Sequence, residues 1–451
     1  MSPRTRIGIH RTAFVSLCLT PTLLLVGWIA YGAPQRSASV DKSLWEEELS
    51  WILGLDVRLE GVEQPQLGRT VLYGVTISDP EWGPMARIRA IELARTEQGV
   101  AIVASQPEFQ ADRLPQLCEI VHDRFLRTRR ASDLPVHFLA GEVTLAVESN
   151  DPLERPRSMT LTDFDLWIAG GEAGPQLSTE FRLASAPDAQ PVQFRVVRKN
   201  QLDAPPATWW SFDTRPNSDL EATPLPCWLL SQLIPSLSDL GADCHFAGNC
   251  HGEKTAAGWD GKLVGRFHDV DLLQLMAQRR PRGISGRAEL ELIAELNAGR
   301  VVYARGLLDA PGGTIRGDLV DAAIEHLPIK LSPTANRPPG DLWRYRRLAV
   351  EFDMNRDGVK LTGWCDTLGD TLLEGETGPL LVREHGAHSP LLDSTRTPVL
   401  NLVRALLPPT AAQIPAARDV ESLLAVLPLP PPTSSQATVE GEAPSATLRP
   451  N

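Results

Sequence analysis

Two cysteines and two histidines fall within eight residues at 244–251, CHFAGNCH. Thiolate and imidazole are the ligands of zinc sites and haem attachment, which need two to four residues between the cysteines. Here five separate Cys244 from Cys250. On a strand the two sulfurs would share a face about 20 Å apart, too far for one ion or a disulfide, so the run reads as ordinary strand. DMNRDG (353–358) opens like a calcium-binding EF-hand loop, but the twelfth position, where a bidentate glutamate closes such a loop, is Trp364. Asp357-Gly358 therefore reads as a hairpin turn. Asp163/Asp165 and Glu289/Glu291 are paired at i and i+2, roughly 7 Å apart on a strand face, a separation glycosidases use. The solvated side of an amphipathic strand is the simpler reading. Glu384, His385 and His388 in REHGAH read as an exposed loop. No nucleophile elbow, phosphate loop, dinucleotide fingerprint or His-Glu-x-x-His occurs. The expectation is a protein with no catalytic residue, no metal and no cofactor: not an enzyme.

The elements carrying these residues are mostly strands. In RTVLYGVTISDPEWGPMARIRAIEL (69–93), Val71, Tyr73, Val75 and Ile77 alternate with polar or small residues, Leu72 being the apolar exception. Asp79-Pro80 and Gly83-Pro84 make the turn. In RAELELIAEL (287–296), Ala288, Leu290, Leu292, Ala294 and Leu296 share one face and Arg287, Glu289, Glu291 and Glu295 the other. Short helices are expected near 42–54, 112–127, 227–240, 270–277, 316–326, 397–407 and 417–426. Fold class: α+β, mainly antiparallel β, with elongated curved sheets, short amphipathic helices and an N-terminal transmembrane helix.

The 451 residues carry a formal charge of −12, which argues against a nucleic-acid surface. Six cysteines are too few for a disulfide framework. Residues 12–31, TAFVSLCLTPTLLLVGWIAY, contain no charge. As a helix they span about 30 Å, the thickness of a bilayer core. Arg4, Arg6 and Arg11 precede them, which favours a cytoplasmic N-terminus. A cleaved signal peptide with Ala30 and Gly32 at the cut is the competing reading. The expected organisation is a cytoplasmic stretch (1–11), an anchor (12–31), a linker and short helix (32–54), a β-rich region (55–203), a proline-rich connector with a helix (204–240), a second β-rich region (241–427) and a disordered tail (428–451).

The anchor, the short helix, LGLDVRLEGV and LYGVTISDPEWGPMARIRAIEL together resemble the start of AsmA-like envelope proteins. FAGNCHG, GWDGKLVGRFHDVDLLQLM, ISGRAELELIAEL and GRVVYARGLLDAPGGTIRGDLVDAA are similar to their C-terminal region. The resemblance implies a signal-anchored, single-pass inner-membrane protein with its bulk in the periplasm, involved in lipid transport, outer-membrane biogenesis or cell-envelope homeostasis. Its partners would be membrane lipid, with bound phospholipid as a ligand, and envelope proteins. The apolar groove would be lined by Val71, Tyr73, Val75, Ile77, Ala288, Leu290, Leu292, Ala294 and Leu296. In an open groove, Leu290→Asp is expected to cost little stability. The alternatives are a sheet-rich extracytoplasmic scaffold or protein-interaction module without lipid, then a secreted enzyme.

Overall fold

The computed structural model describes residues 42–66, 68–97, 99–127, 133–147, 157–171, 174–199, 207–214, 222–255, 258–277, 283–335, 337, 340–366, 370–384 and 396–406. The segments read as the anchor (12–31), as a helix at 417–426 and as the tail (428–451) lie outside them.

The first described element is helix α1 (42–53). Trp45, Leu49 and Leu53, one turn apart, pack on the N-terminal core, while Glu46 and Ser50 accept hydrogen bonds from the amides of Leu59 and Val57. These bonds tie α1 to the first strands, β1 (Asp56–Arg58) and β2 (Gly61–Gln66), which lie along the same side of β3 (Arg69–Asp79). β4 (Gly83–Thr96) and β5 (Gly99–Gln110) follow as hairpin partners. The chain then passes through α2 (Leu114–Ile120) and a wider turn at 121–126 to β6 (Val136–Val147), which runs parallel to β5. A parallel neighbour requires a crossover of a dozen or more residues, and α2 supplies it. The alternating pattern carried no sign of this reversal of direction.

β7 (Arg157–Gly171), β8 (Gly174–Leu183), β9 (Val192–Lys199) and β10 (Ala207–Asp213) continue the meander. β10 lies in the proline-rich stretch and pairs with β12 (His245–Thr255) on its other side. It thereby carries one sheet from the first half of the chain into the second. Between them come β11 (Leu225–Pro226), which also pairs with β12, and α3 (Cys227–Leu230). β13 (Gly258–Asp271), α4 (Leu272–Ala277), β14 (Ile284–Ser285), β15 (Arg287–Asn297), β16 (Arg300–Ala310), β17 (Gly313–Arg316) and α5 (Gly317–His326) follow. The last are β18 (Ile329–Leu331), β19 (Leu342–Tyr345), β20 (Arg347–Asn355), β21 (Gly358–Gly363), β22 (Thr371–Gly375), β23 (Gly378–Arg383) and α6 (Val399–Leu406).

Twenty strands form one sheet, and β14, β17 and β19 form a second of three. The large sheet has one face of cross-strand ion pairs, among them Arg69–Glu92, Lys262–Glu295, Arg305–Glu351 and Arg347–Asp309. Its other face carries two main apolar cores, and Phe212 and Leu230 touch both. The molecule covers this face itself. α1 and Leu229 of α3 close the N-terminal core. Leu319 and Val320 of α5, with Ile315 and Trp343 of the small sheet, enter the C-terminal one. α6 packs against α5 and contributes Val399 to a smaller cluster with Ala304, Met354 and Val359.

The expected fold class is corrected in two respects. The sheet is neither curled nor closed, since β1 and β2 at one end and β18 at the other each pair with a single strand. Among the described residues no helix is long and apolar enough to cross a membrane; the longest, α1 (42–53), has twelve residues, little more than half a bilayer span.

Candidate functional site

The ladders of the N-terminal half of the sheet are interrupted along one line, a crease crossing β3 to β7. Ladder pairing lapses at Gly74 opposite Arg89, at Arg89 opposite Gln106, and at Gly141 opposite Asp163. These positions lie in line across β3 to β7. Gly74, Gln106 and Asp163 have φ of 57°, 50° and 52°, the left-handed region that switches the face on which the next side chain emerges. Core residues are consequently three apart there instead of two: Leu72 and Val75, Ile88 and Ile91, Ala140 and Val143, Leu161 and Phe164. Gly74 suits its position, because L side chains rarely adopt its φ and a Cβ there would also displace the Glu60 side chain.

On the solvent side of this crease is a cavity of about 660 Å³. Tyr73, Arg89, Val103, Ser105, Gln106, Gly141 and Glu142 line it, with Ala90 and the buried Ala104. The Tyr73 hydroxyl donates to Glu63 at 3.1 Å, which raises the phenol's pKa and keeps it neutral. Arg89 donates to the Gln106 side-chain oxygen at 3.3 Å. Val103 is 42% exposed. A Cβ added at Gly141 would meet nothing within 4 Å, so the cavity is open above that strand. One cation, one anion, a neutral phenol and an aliphatic side chain meet there. Among the described residues no group of three or more His, Cys, Asp or Glu is placed to share a metal ion.

The residues singled out from the sequence are dispersed. Leu72, the apparent exception in β3, is buried and Tyr73 is exposed, because Gly74 reverses the alternation between them and Val75. Val71 is half-buried; Val75 and Ile77 face the N-terminal core. Ala288 and Ala294 are buried, Leu290 and Leu292 pack half-buried on the C-terminal core, and Leu296 is half-buried near the strand's end. The nine do not form one surface. Asp165 meets His137 at 2.8 Å beside the stacked Trp167, and Asp163 lies 3.9 Å from Arg182. Glu289 meets His268 at 2.6 Å, and Glu291 pairs with Arg266. All four carboxylates are held in cross-strand contacts. Asp353 pairs with Arg396, and Asp357 sits in the β20–β21 turn. Glu384 donates its amide to Pro328 O; His385 and His388 lie outside the described residues. Cys250 is half-buried in β12, and burial pushes its thiol up to about 12. The crease itself was missed. Its signal is the three-residue spacing of apolar side chains repeated in consecutive strands, which is legible once the strands are aligned.

No family model, no curated protein and no solved structure matches the chain. The resemblance to AsmA-like proteins is therefore withdrawn: its short motifs are what any amphipathic strand followed by a Gly or Asp-Pro turn produces. With it go the membrane-anchored lipid-binding function, the envelope and outer-membrane role, the membrane lipid and envelope partners, and the single-pass inner-membrane location. The physical reason is the cover on the apolar face, which α1, α3, α5, α6 and the small sheet supply without lipid. The anchor proposed at 12–31 lies outside the described residues, and no described helix takes its place.

Proposed function

We propose that this chain is a non-catalytic, sheet-rich scaffold that binds a protein partner at the crease of its large sheet. The observation that supports the reading is the cavity at that crease, on the exposed polar face, with Tyr73 and Val103 as apolar contacts beside Arg89 and Glu142. A shallow site of mixed character suits a protruding protein segment. The formal charge of −12 favours a basic segment, because long-range attraction concentrates a cationic partner around an acidic protein. Glu142 then receives its lysine or arginine. The ends of the sheet are poor docking places by comparison. β2 carries Glu63 and Pro65 on an exposed stretch, and β18 has three residues; a proline or a very short strand blocks pairing with another chain.

The test places a photo-crosslinking residue at Val103 in the full chain inside its own cell. The expected result is a small set of discrete protein adducts, lost in Gly141→Trp and weakened by salt in a cell extract. Gly141→Trp fills the cavity while leaving the melting temperature unchanged. Adducts no different from those of the same probe at Trp364, or adducts to lipid alone, would overturn the proposal.

A further inference from the structure

Cys227 and Cys244 stand directly opposite each other. β11 and β12 pair Leu225 with Phe246 and Pro226 with His245, and the next rung outward is Cys227 with Cys244. The Cys227 amide donates to Cys244 O at 2.7 Å, and the two Sγ atoms are 2.8 Å apart. Opposed residues of an antiparallel pair have the Cα spacing that a disulfide spans. The sulfurs are already nearer than two unbonded sulfur atoms normally rest. Both residues are wholly buried in the C-terminal core. We propose that Cys227 and Cys244 are joined by a disulfide, formed while the chain folds and sealed from reductants afterwards.

The oxidant is a small-molecule disulfide such as oxidised glutathione. One cysteine, as thiolate, attacks it, forming a mixed disulfide and releasing one glutathione thiol. The second cysteine gives up its proton and attacks the sulfur of the first, and the other glutathione leaves as a thiol. The protein pair loses two electrons and two protons, and the small disulfide is reduced to two thiols. In the folded protein the contact with Cys244 and burial push the Cys227 thiol up, so thiolate is scarce and reagents have no access. Exchange therefore belongs to the folding chain, before α3 closes. The bond closes a loop between cysteines 17 positions apart in the chain, and that loop contains Leu230, which touches both cores. It fastens the segment where the two halves of the sheet are stitched together.

The full chain is unfolded in urea with reductant, refolded with oxidised glutathione after the reductant is removed, and then treated with N-ethylmaleimide in urea, so that every free thiol is reached. A protease that cuts before aspartate, at Asp239 or Asp243, separates the two cysteines. The expected product is one linked species that reductant divides into the Cys227 peptide and the peptide 243–259, which holds both Cys244 and Cys250; fragmentation of the latter places the alkyl group on Cys250 and not on Cys244, and Cys118 carries it as well. The folded, oxidised protein should keep the bond in dithiothreitol until it is warmed to its unfolding transition. A Cys227→Ser/Cys244→Ser variant should melt several degrees lower and show no further change with reductant. Alkylation of both Cys227 and Cys244 in the oxidised sample, or a link from either to Cys118 or Cys250, overturns the proposal; this mapping needs only the parent protein.

Discussion

Tyr345 shows how far one residue's surroundings alter its chemistry. Its ring is buried, its hydroxyl donates to Ser285 O at 2.7 Å, and burial pushes the phenol up to about 12. A tyrosine in an unfolded chain titrates at about 10. Because the folded value is the higher, the contribution to stability is complete below about pH 10 and is lost as pH rises through about 12. Tyr345→Phe should be less stable at neutral pH by about 1 kcal/mol for the missing hydrogen bond. It should also lose less stability on going to high pH, as urea unfolding followed by circular dichroism at several pH values will measure. Glu351 has the opposite sign. Arg305 and the Trp364 indole hold its carboxyl below the usual range, so its contribution is present above the unfolded carboxylate's pKa and fades as pH falls through the folded one. Arg305→Gln should flatten the acid side of the stability profile, the effect being moderated by the exposure of the arginine. Leu290 corrects an expectation drawn from the sequence. It packs against a covered core, so Leu290→Asp buries part of a carboxylate and should cost about 2–3 kcal/mol, seen as a fall in melting temperature.

Strands show what alternation reveals and where it stops. The ion-paired and apolar sides of β15 were readable directly, since Ala288 and Ala294 are buried where Arg287 and Glu289 are exposed. In β3 the alternation held after Gly74, where Val75 and Ile77 face the core, and failed before it, where Leu72 is buried and Tyr73 exposed, because Gly74 inverts the faces and a single strand does not disclose that. The short helices at 114–120, 272–277, 317–326 and 399–406 fall within their expected spans, since an apolar stripe of helical period needs little context. The parallel β5–β6 pair and the pairing of Cys227 with Cys244 depend on which segments meet, and spacing along the chain carries no such information. Glycine is used between β12 and β13 for close approach rather than for unusual dihedrals. A Cβ at Gly265 would lie 2.6 Å from the Phe246 ring and 2.7 Å from Ala247 O. Gly265→Val should therefore cost about 1–3 kcal/mol through overpacking, measured by chemical unfolding. Gly141→Val, with open space at its Cβ, is the control that should change little.

The described residues form one large sheet over two main cores, with a small second sheet closing one of them, and the coupling of these cores passes through few side chains. Phe212 on β10 touches both cores and packs with Phe246. Removing its ring should cost about 3 kcal/mol. Phe212→Ala should also split the calorimetric transition into two, since each half keeps most of its own core while losing a shared contact. A single unchanged peak would mean that the backbone pairing of β10 with β9 and β12 is enough to unite them. The meander also bears on how the protein is made. From β3 to β10 every strand pairs with the one synthesised just before it, so a chain leaving the ribosome N-terminus first can add these strands in the order they appear. One part of that schedule is delayed. The N-terminal core includes Leu225 and Leu229, so the first half stays unsealed until about 170 further residues of chain have followed its first strand, which ends at Arg58. Until then its apolar face is open to the cell's chaperones, which makes the nascent chain, rather than the finished protein, the form most exposed to them.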